Sequence, residues 1–254
     1  MAKSRDVQRS QSPVVFITGA GNGIGAGCAH LFADKGWSVV VTDVDKEAIA
    51  RTMHTLSTKH PKQRHLALPI NVTREDSVKA AVANTIEEFG TVDAAINCAG
   101  IEGDRGLLHG IDEATFDRVF SVNVKGVFLS MKYELRAMLI SRTEGQTKSI
   151  VNIASSAGIS PFPEFSSYAA SKSAVIGFTK TAAMEYVGHG IRINAIAPAT
   201  IATPMVERFK DRWPEWQAET NAAYGIGRIG TVQEVISWYG ARNVTCMHVI
   251  VLMH

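Results

Sequence analysis

The segment Val14-Val15-Phe16-Ile17-Thr18 runs directly into Gly19-Ala20-Gly21-Asn22-Gly23-Ile24-Gly25, and how this stretch is read decides the fold. Its first half is continuously apolar and rich in β-branched residues, the pattern of a strand covered on both faces. Its second half reads as a tight turn, and an apolar helical stretch, Ile24–Lys35, follows at once. Glycine serves such a turn by accepting positive φ, by letting the backbone approach a pyrophosphate, and by letting helix pack closely on strand. The helix start adds unpaired N–H groups and a partial positive charge. Gly19, Asn22, Gly23, Ile24 and Gly25 are therefore candidate phosphate-binding positions, although a purely structural strand-to-helix turn has the same composition.

Working outward, Asp43 ends the next apolar run, Ser38–Asp43, close to the ~20-residue offset at which an acid accepts from the adenosine ribose. A carboxylate there bonds a free 2′-hydroxyl and repels a 2′-phosphate, and neither Asn22 nor Thr42 is a cation. The expected cofactor is NAD in preference to NADP. On the residues alone, Asp43 also fits a helix N-cap or a solvated loop.

Further strands are expected at Arg64–Ile70, Ala94–Asn97, Ser149–Ala154, Arg192–Ala197 and His248–Leu252, about seven in all. Helices are expected at Lys46–Lys59, Arg74–Phe89, Glu113–Arg142, Ser167–Gly188 and Val232–Tyr239, with Asp45 as an N-cap and Thr73 with Asp76 as a capping box. This alternation predicts an α/β fold, a three-layer, doubly wound parallel sheet with helices on both faces. Thr203 to Tyr224 reads as irregular and aromatic. Nothing resembling a linker or repeat divides the chain, so residues 13–254 are expected to form one domain behind a flexible tail of residues 1–12.

Of the 254 residues, 46% are hydrophobic and 20% charged, with a formal net charge of +2. A disordered chain is excluded, and there is no basic footprint for nucleic acid or an anionic membrane. A small-molecule partner is the expectation. The tail lacks the apolar region of a signal peptide, and no run approaches the ~20 apolar residues that span a bilayer. Cys28, Cys98 and Cys246 are odd in number and far apart, which fits a reducing, cytoplasmic location. His248 and His254 lack the acids or thiols of a metal site, and no metal is expected.

Tyr168-Ala169-Ala170-Ser171-Lys172 opens an apolar helix, and its spacing sets phenol and ammonium one turn apart on one face. A nearby cation lowers a phenol pKa, so Lys172 is expected to make Tyr168 a usable acid/base nearer neutral pH. Ser155 ends the preceding strand, and Asn123 falls within the preceding long helix. Without further context, Ser155 also fits a strand cap and Asn123 a locally bonded polar residue.

Taken in order, Thr18-Gly19-x-x-x-Gly23-Ile24-Gly25, Asn97-Cys98-Ala99-Gly100, Asn123, Ser155, Tyr168-x-x-x-Lys172 and Asn194-Ala195-Ile196-Ala197-Pro198 followed by Thr203 resemble the short-chain dehydrogenase/reductase family, from about Val14 to Val235. The resemblance implies a Rossmann fold and interconversion of a secondary alcohol and a ketone. It makes Tyr168 the general acid/base, Ser155 the group that polarises the substrate oxygen, and Lys172 the residue that tunes Tyr168 and holds the nicotinamide ribose. It has Asn123 keep a water for proton relay. It sets Asn71, Val72, Asn97, Ala99, Gly100, Pro198, Ile201 and Thr203 beside the cofactor. Departures are Asn71 for the frequent Asp, Cys98 for a second Asn, and Ala199 for Gly.

The closing helix and strand are short and end without V-D-G-G, which puts the usual tetramer in doubt and leaves a homodimer through Glu113–Arg142 and Ser167–Gly188 as the expectation. Phe209, Trp213, Pro214, Trp216 and Tyr224, with Pro161-Phe162-Pro163-Glu164-Phe165, suggest a bulky apolar substrate of terpenoid, steroid-like or polyketide type, with a role in secondary-metabolite biosynthesis. The same aromatic residues also fit packing lids or a dimer surface. The alternative functions are an NADPH-dependent ketoreductase and a catalytically silent cofactor-binding scaffold.

Overall fold

The computed structural model describes residues 12–213, 215, 218, 220, 227–240 and 249–252. The expected tail, Pro214, Trp216, Tyr224, Cys246, His248 and His254 lie outside these residues, except for Ser12 at the tail's end.

Strands β1 (Val14–Thr18), β2 (Ser38–Asp43), β3 (Leu66–Pro69), β4 (Ala94–Asn97), β5 (Lys148–Ile153), β6 (Ile191–Pro198) and β7 (Val249–Leu252) form one sheet in the order β3-β2-β1-β4-β5-β6-β7. Every pairing is parallel. Chain order reverses between β1 and β4, and in open sheets of this kind a crevice forms beyond the carboxyl ends of the strands at that point. Side chains alternate across the pleat. Val14 and Phe16 join one core with Val78, Val82 and Met138, while Val15 and Ile17 join another with Cys28, Ile49 and Val235. Phe16 is fully buried, and a side chain of that size contributes roughly 2–3 kcal/mol.

The helices are α1 (Gly23–Asp34), α2 (Lys46–Lys59), α3 (Glu75–Phe89), α4 (Glu113–Phe120), α5 (Gly126–Ser141), α6 (Ser166–Tyr186), α7 (Pro204–Arg212) and α8 (Val232–Gly240). Asp45 caps α2 as expected, accepting from the N–H groups of Glu47 and Ala48 at 3.0 Å each. Three expectations are corrected. No Thr73/Asp76 capping box forms: the Asn71 side chain takes the Thr73 N–H and hydroxyl, while Asp76 pairs with Arg74. The stretch 113–142 is not one helix, because a π turn at Ser121–Lys125 separates α4 from α5. The stretch 203–224 is not wholly irregular, because Pro204 occupies the first turn of α7, where its missing N–H costs nothing. Among the described residues no helix is long and apolar enough to cross a membrane.

Candidate active site

A cavity of about 640 Å³ opens beyond the ends of β1, β4, β5 and β6. Its floor is tied by Thr18, whose hydroxyl accepts from the N–H groups of Cys98 and Ala99 at 3.2 and 3.3 Å. Gly19, Asn22, Gly23 and Ile24 form one wall. Gly19 adopts φ +66°, and a Cβ on it would meet the Ala99 backbone nitrogen at 2.7 Å. Gly25 stands behind this wall, where a Cβ would meet the Gly19 carbonyl oxygen at 2.1 Å. Its expected place at the cofactor is therefore corrected to a packing position that lets α1 abut the turn. Asn22 makes no side-chain cap bond and the first turn of α1 holds no acid, so the helix start stays free to receive an anion.

Asp43 lines the cavity. Its Oδ2 accepts the Gly21 N–H at 3.0 Å and its Oδ1 the Asp45 N–H at 3.1 Å, so one carboxylate both shapes the turn and keeps further lone pairs for a ligand. Asn71 and Val72 also line the wall, but the Asn71 side-chain Oδ1 is engaged by Thr73. Ala99, Gly100, Pro198, Ile201 and Thr203 line it as expected, and Thr203 faces Gly23 across the cleft.

Asn97 does not reach the cavity. Fully buried, it donates to Glu134 and Asn152 at 3.0 Å each, within a network that Asn152 extends to Thr179. Burial pushes the Glu134 carboxyl up to about 8, opposed by the Asn97 bond. This acid therefore keeps its proton at neutral pH. Nothing in the linear pattern around Glu134 signalled the network, because its members come from β4, α5, β5 and α6.

Ser155, Tyr168 and Lys172 meet on the cavity wall. The Ser155 hydroxyl accepts from the Ala157 N–H at 3.2 Å as a cap, and Ser155 stands close enough to Tyr168 to favour its ionised form. Lys172 donates to the Ile153 carbonyl at 2.8 Å, with its Nζ 5.6 Å from the centre of the Tyr168 ring. The expectation that Lys172 lowers the phenol is corrected. Burial pushes Tyr168 up to about 12 against the lowering influence of Ser155, helped by the charge of Glu102, and burial pushes Lys172 down to about 8.

Asn123 sits fully buried in the π turn, off the cavity. Its Oδ1 accepts from the Ile101 N–H at 2.9 Å, and its Nδ2 donates to the Ile101 carbonyl and to Ser171 Oγ at 2.8 and 3.0 Å. Both side-chain donors of Asn123 are thus used within the protein, on the loop after β4 and on α6. Ser171 in turn donates to the Tyr168 carbonyl at 2.7 Å, a link the sequence reading missed although it lies within the Tyr-x-x-x-Lys segment.

The two aromatic stretches converge. Phe165, Val206 and Phe209 form a small core with Phe162, Met205 and Trp213 against it, and Phe162, Phe165 and Phe209 face the cavity. Glu102 and Arg208 also line it, unforeseen because one lies in a loop and the other on an unexpected helix.

A family model described as short chain dehydrogenase matches residues 13–213. The chain is 38% identical over 226 residues to the 2-(R)-hydroxypropyl-CoM dehydrogenase of Xanthobacter autotrophicus, covering 88% of each. It is 39% identical over 206 residues to the levodione reductase of Leifsonia aquatica, covering 81% of this chain and 76% of that protein. A solved levodione reductase superposes with TM-score 0.87 and 33% identity, covering 96% of this chain and 97% of that one. The chain belongs to the short-chain dehydrogenase/reductase family. It is accordingly an oxidoreductase acting on CH–OH donors, of a family that binds NAD(P).

Proposed function

We propose that the protein is an NAD-dependent dehydrogenase that interconverts a bulky, apolar secondary alcohol and its ketone, with Tyr168 as general acid/base. The observation that carries this reading is the meeting of Ser155, Tyr168 and Lys172 on the wall of one cavity, between the glycine turn and the aromatic cluster. The glycine cradle, the uncapped start of α1 and the free lone pairs of Asp43 suit a dinucleotide whose ribose carries no 2′-phosphate. When bound, this cofactor supplies the hydride acceptor or donor.

The residues do the rest. Ser155 donates to the substrate oxygen and fixes it beside the Tyr168 hydroxyl. In reduction, Tyr168 gives its proton to the developing alkoxide. In oxidation, the phenolate takes the alcohol proton, so oxidation gains rate as pH rises toward the high pKa of Tyr168. Lys172, anchored on Ile153, holds the nicotinamide ribose. The names of the two relatives, one a dehydrogenase of a hydroxypropyl compound and one a reductase of levodione, support the alcohol/ketone class.

The test is NADH absorbance with cyclic and steroidal secondary alcohols. Tyr168→Phe lowers turnover about 10³-fold while cofactor binding persists, and retained turnover overturns the assignment.

Exposed Phe116, Phe128, Leu139, Phe178 and Met184 on α4, α5 and α6 support a homodimer through these helices. Light scattering is expected to read two protomers, and a single-protomer mass counts against it. The cysteines, odd in number and far apart in the sequence, support a cytoplasmic setting, which fractionation of the source cells tests.

A further inference from the structure

Beyond Asp43 and Lys172, the charged side chains on the cavity wall are Glu102 and Arg208. They stand among Ile101, Phe162, Phe165, Met205 and Phe209. Glu102 is not on a loose loop. The residue before it, Ile101, is held through both its N–H and its carbonyl by Asn123, which fixes where the Glu102 side chain starts.

The Glu102 side chain is only 20% exposed, against 61% for Arg208. Among the described residues Arg208 alone meets it, at 3.4 Å, longer than the ~2.7–2.9 Å of a well-formed charge-assisted bond. This carboxylate on the cavity wall therefore keeps acceptor sites with no protein donor, open to a donor from a bound molecule. It also lies near enough to Tyr168 for its charge to help the phenol hold its proton.

We propose that Glu102 is a specificity residue that accepts a hydrogen bond from a second hydroxyl on the substrate, close to the reacting carbon. The site then prefers diols and hydroxyketones to their monofunctional counterparts and disfavours anionic substrates. This rests on the reading of the cleft given above. A substrate hydroxyl is the fitting donor because it satisfies the carboxylate without adding a charge that the apolar wall would have to bury.

The experiment compares kcat/KM for cyclohexanol and trans-cyclohexane-1,2-diol with NAD in the wild type, Glu102→Gln and Glu102→Leu, with cofactor binding measured on each protein as the check of folding. The diol-to-alcohol ratio is expected to fall about tenfold in Glu102→Gln and further in Glu102→Leu, mostly through KM. Arg208→Gln keeps or strengthens the diol preference. An unchanged ratio in both Glu102 variants overturns the proposal. So does a wild-type preference for a matched hydroxy acid that Arg208→Gln removes. Absence of turnover of either compound by the wild type overturns instead the reading of the cleft on which the proposal stands.

Discussion

The cleft wall from Gly19 to Ile24 is made largely of backbone, whereas the wall from Phe162 to Phe209 is made largely of side chains. On the first wall, position is fixed by contacts that admit no added atom, such as Gly19 against Ala99 and Gly25 against the Gly19 carbonyl. On the second, rings pack at ordinary spacings, with Phe165 and Phe209 at 5.2 Å and Phe209 and Trp213 at 5.4 Å between centres. Under the proposed function, the difference teaches that the cofactor meets an unyielding surface, while the substrate meets groups that can be exchanged one at a time.

The sharpest way to break this contrast is to change one residue at each wall, adding a carbon at Gly25 and removing a ring at Phe209. Gly25→Ala forces backbone against backbone and is expected to cost about 2–3 kcal/mol of stability, with cofactor affinity down about a hundredfold. Phe209→Ala is expected to leave the cofactor Kd near its wild-type value and raise KM for bulky substrates about tenfold. Thermal melts with cofactor titration, beside steady-state kinetics, read both; equal losses of cofactor affinity would erase the distinction.

A smaller effect sharpens the backbone side. Asp43→Ala removes both the acceptor for a ribose and the bond to Gly21, so NAD(H) affinity should fall about tenfold relative to NADP(H). Parallel titrations with the two cofactors measure the ratio, and an unaltered preference removes Asp43 from cofactor selection.

The smallest effect probes the buried network in which Glu134 and Asn152 both accept from Asn97. Because the folded-state pKa of Glu134 is raised to about 8 from an ordinary 4.5, the proton it retains stabilises the fold fully below pH 4.5. That contribution is lost as pH rises through 8. Glu134→Gln keeps a donor without the titration, so its Tm should rise relative to the wild type's at pH 8, with no gain at pH 4.5. Melts across this range decide it, and parallel curves for both proteins would place the titration elsewhere.

Most of the fold was legible because its signals are local. β1 and β2 fall on the expected residues, and α2 spans the expected segment with Asp45 as its cap, since apolar runs and short polar side chains act on their own neighbours. The Tyr168–Lys172 spacing and the glycine turn were legible for the same reason. What escaped depends on distant partners. The π turn answers to Ile101 and Ser171, and the Thr73 hydroxyl was drawn away by Asn71. Glu134 lies on a helix whose sequence alone does not reveal that strands β4 and β5 wait with two asparagines. The direction of the Tyr168 shift also escaped, because spacing reveals a neighbouring charge but not the depth of burial that outweighs it.

The clamp that Asn123 places on Ile101 has a consequence for how such a protein can diversify. One amide ties the root of the loop after β4 to Ser171, and through it to the backbone of Tyr168. Beyond that pin, the loop can change in length or bulk without moving the backbone of Tyr168. The joint works as a bulkhead, on one side of which substrate preference drifts while on the other the chemistry stays where it was.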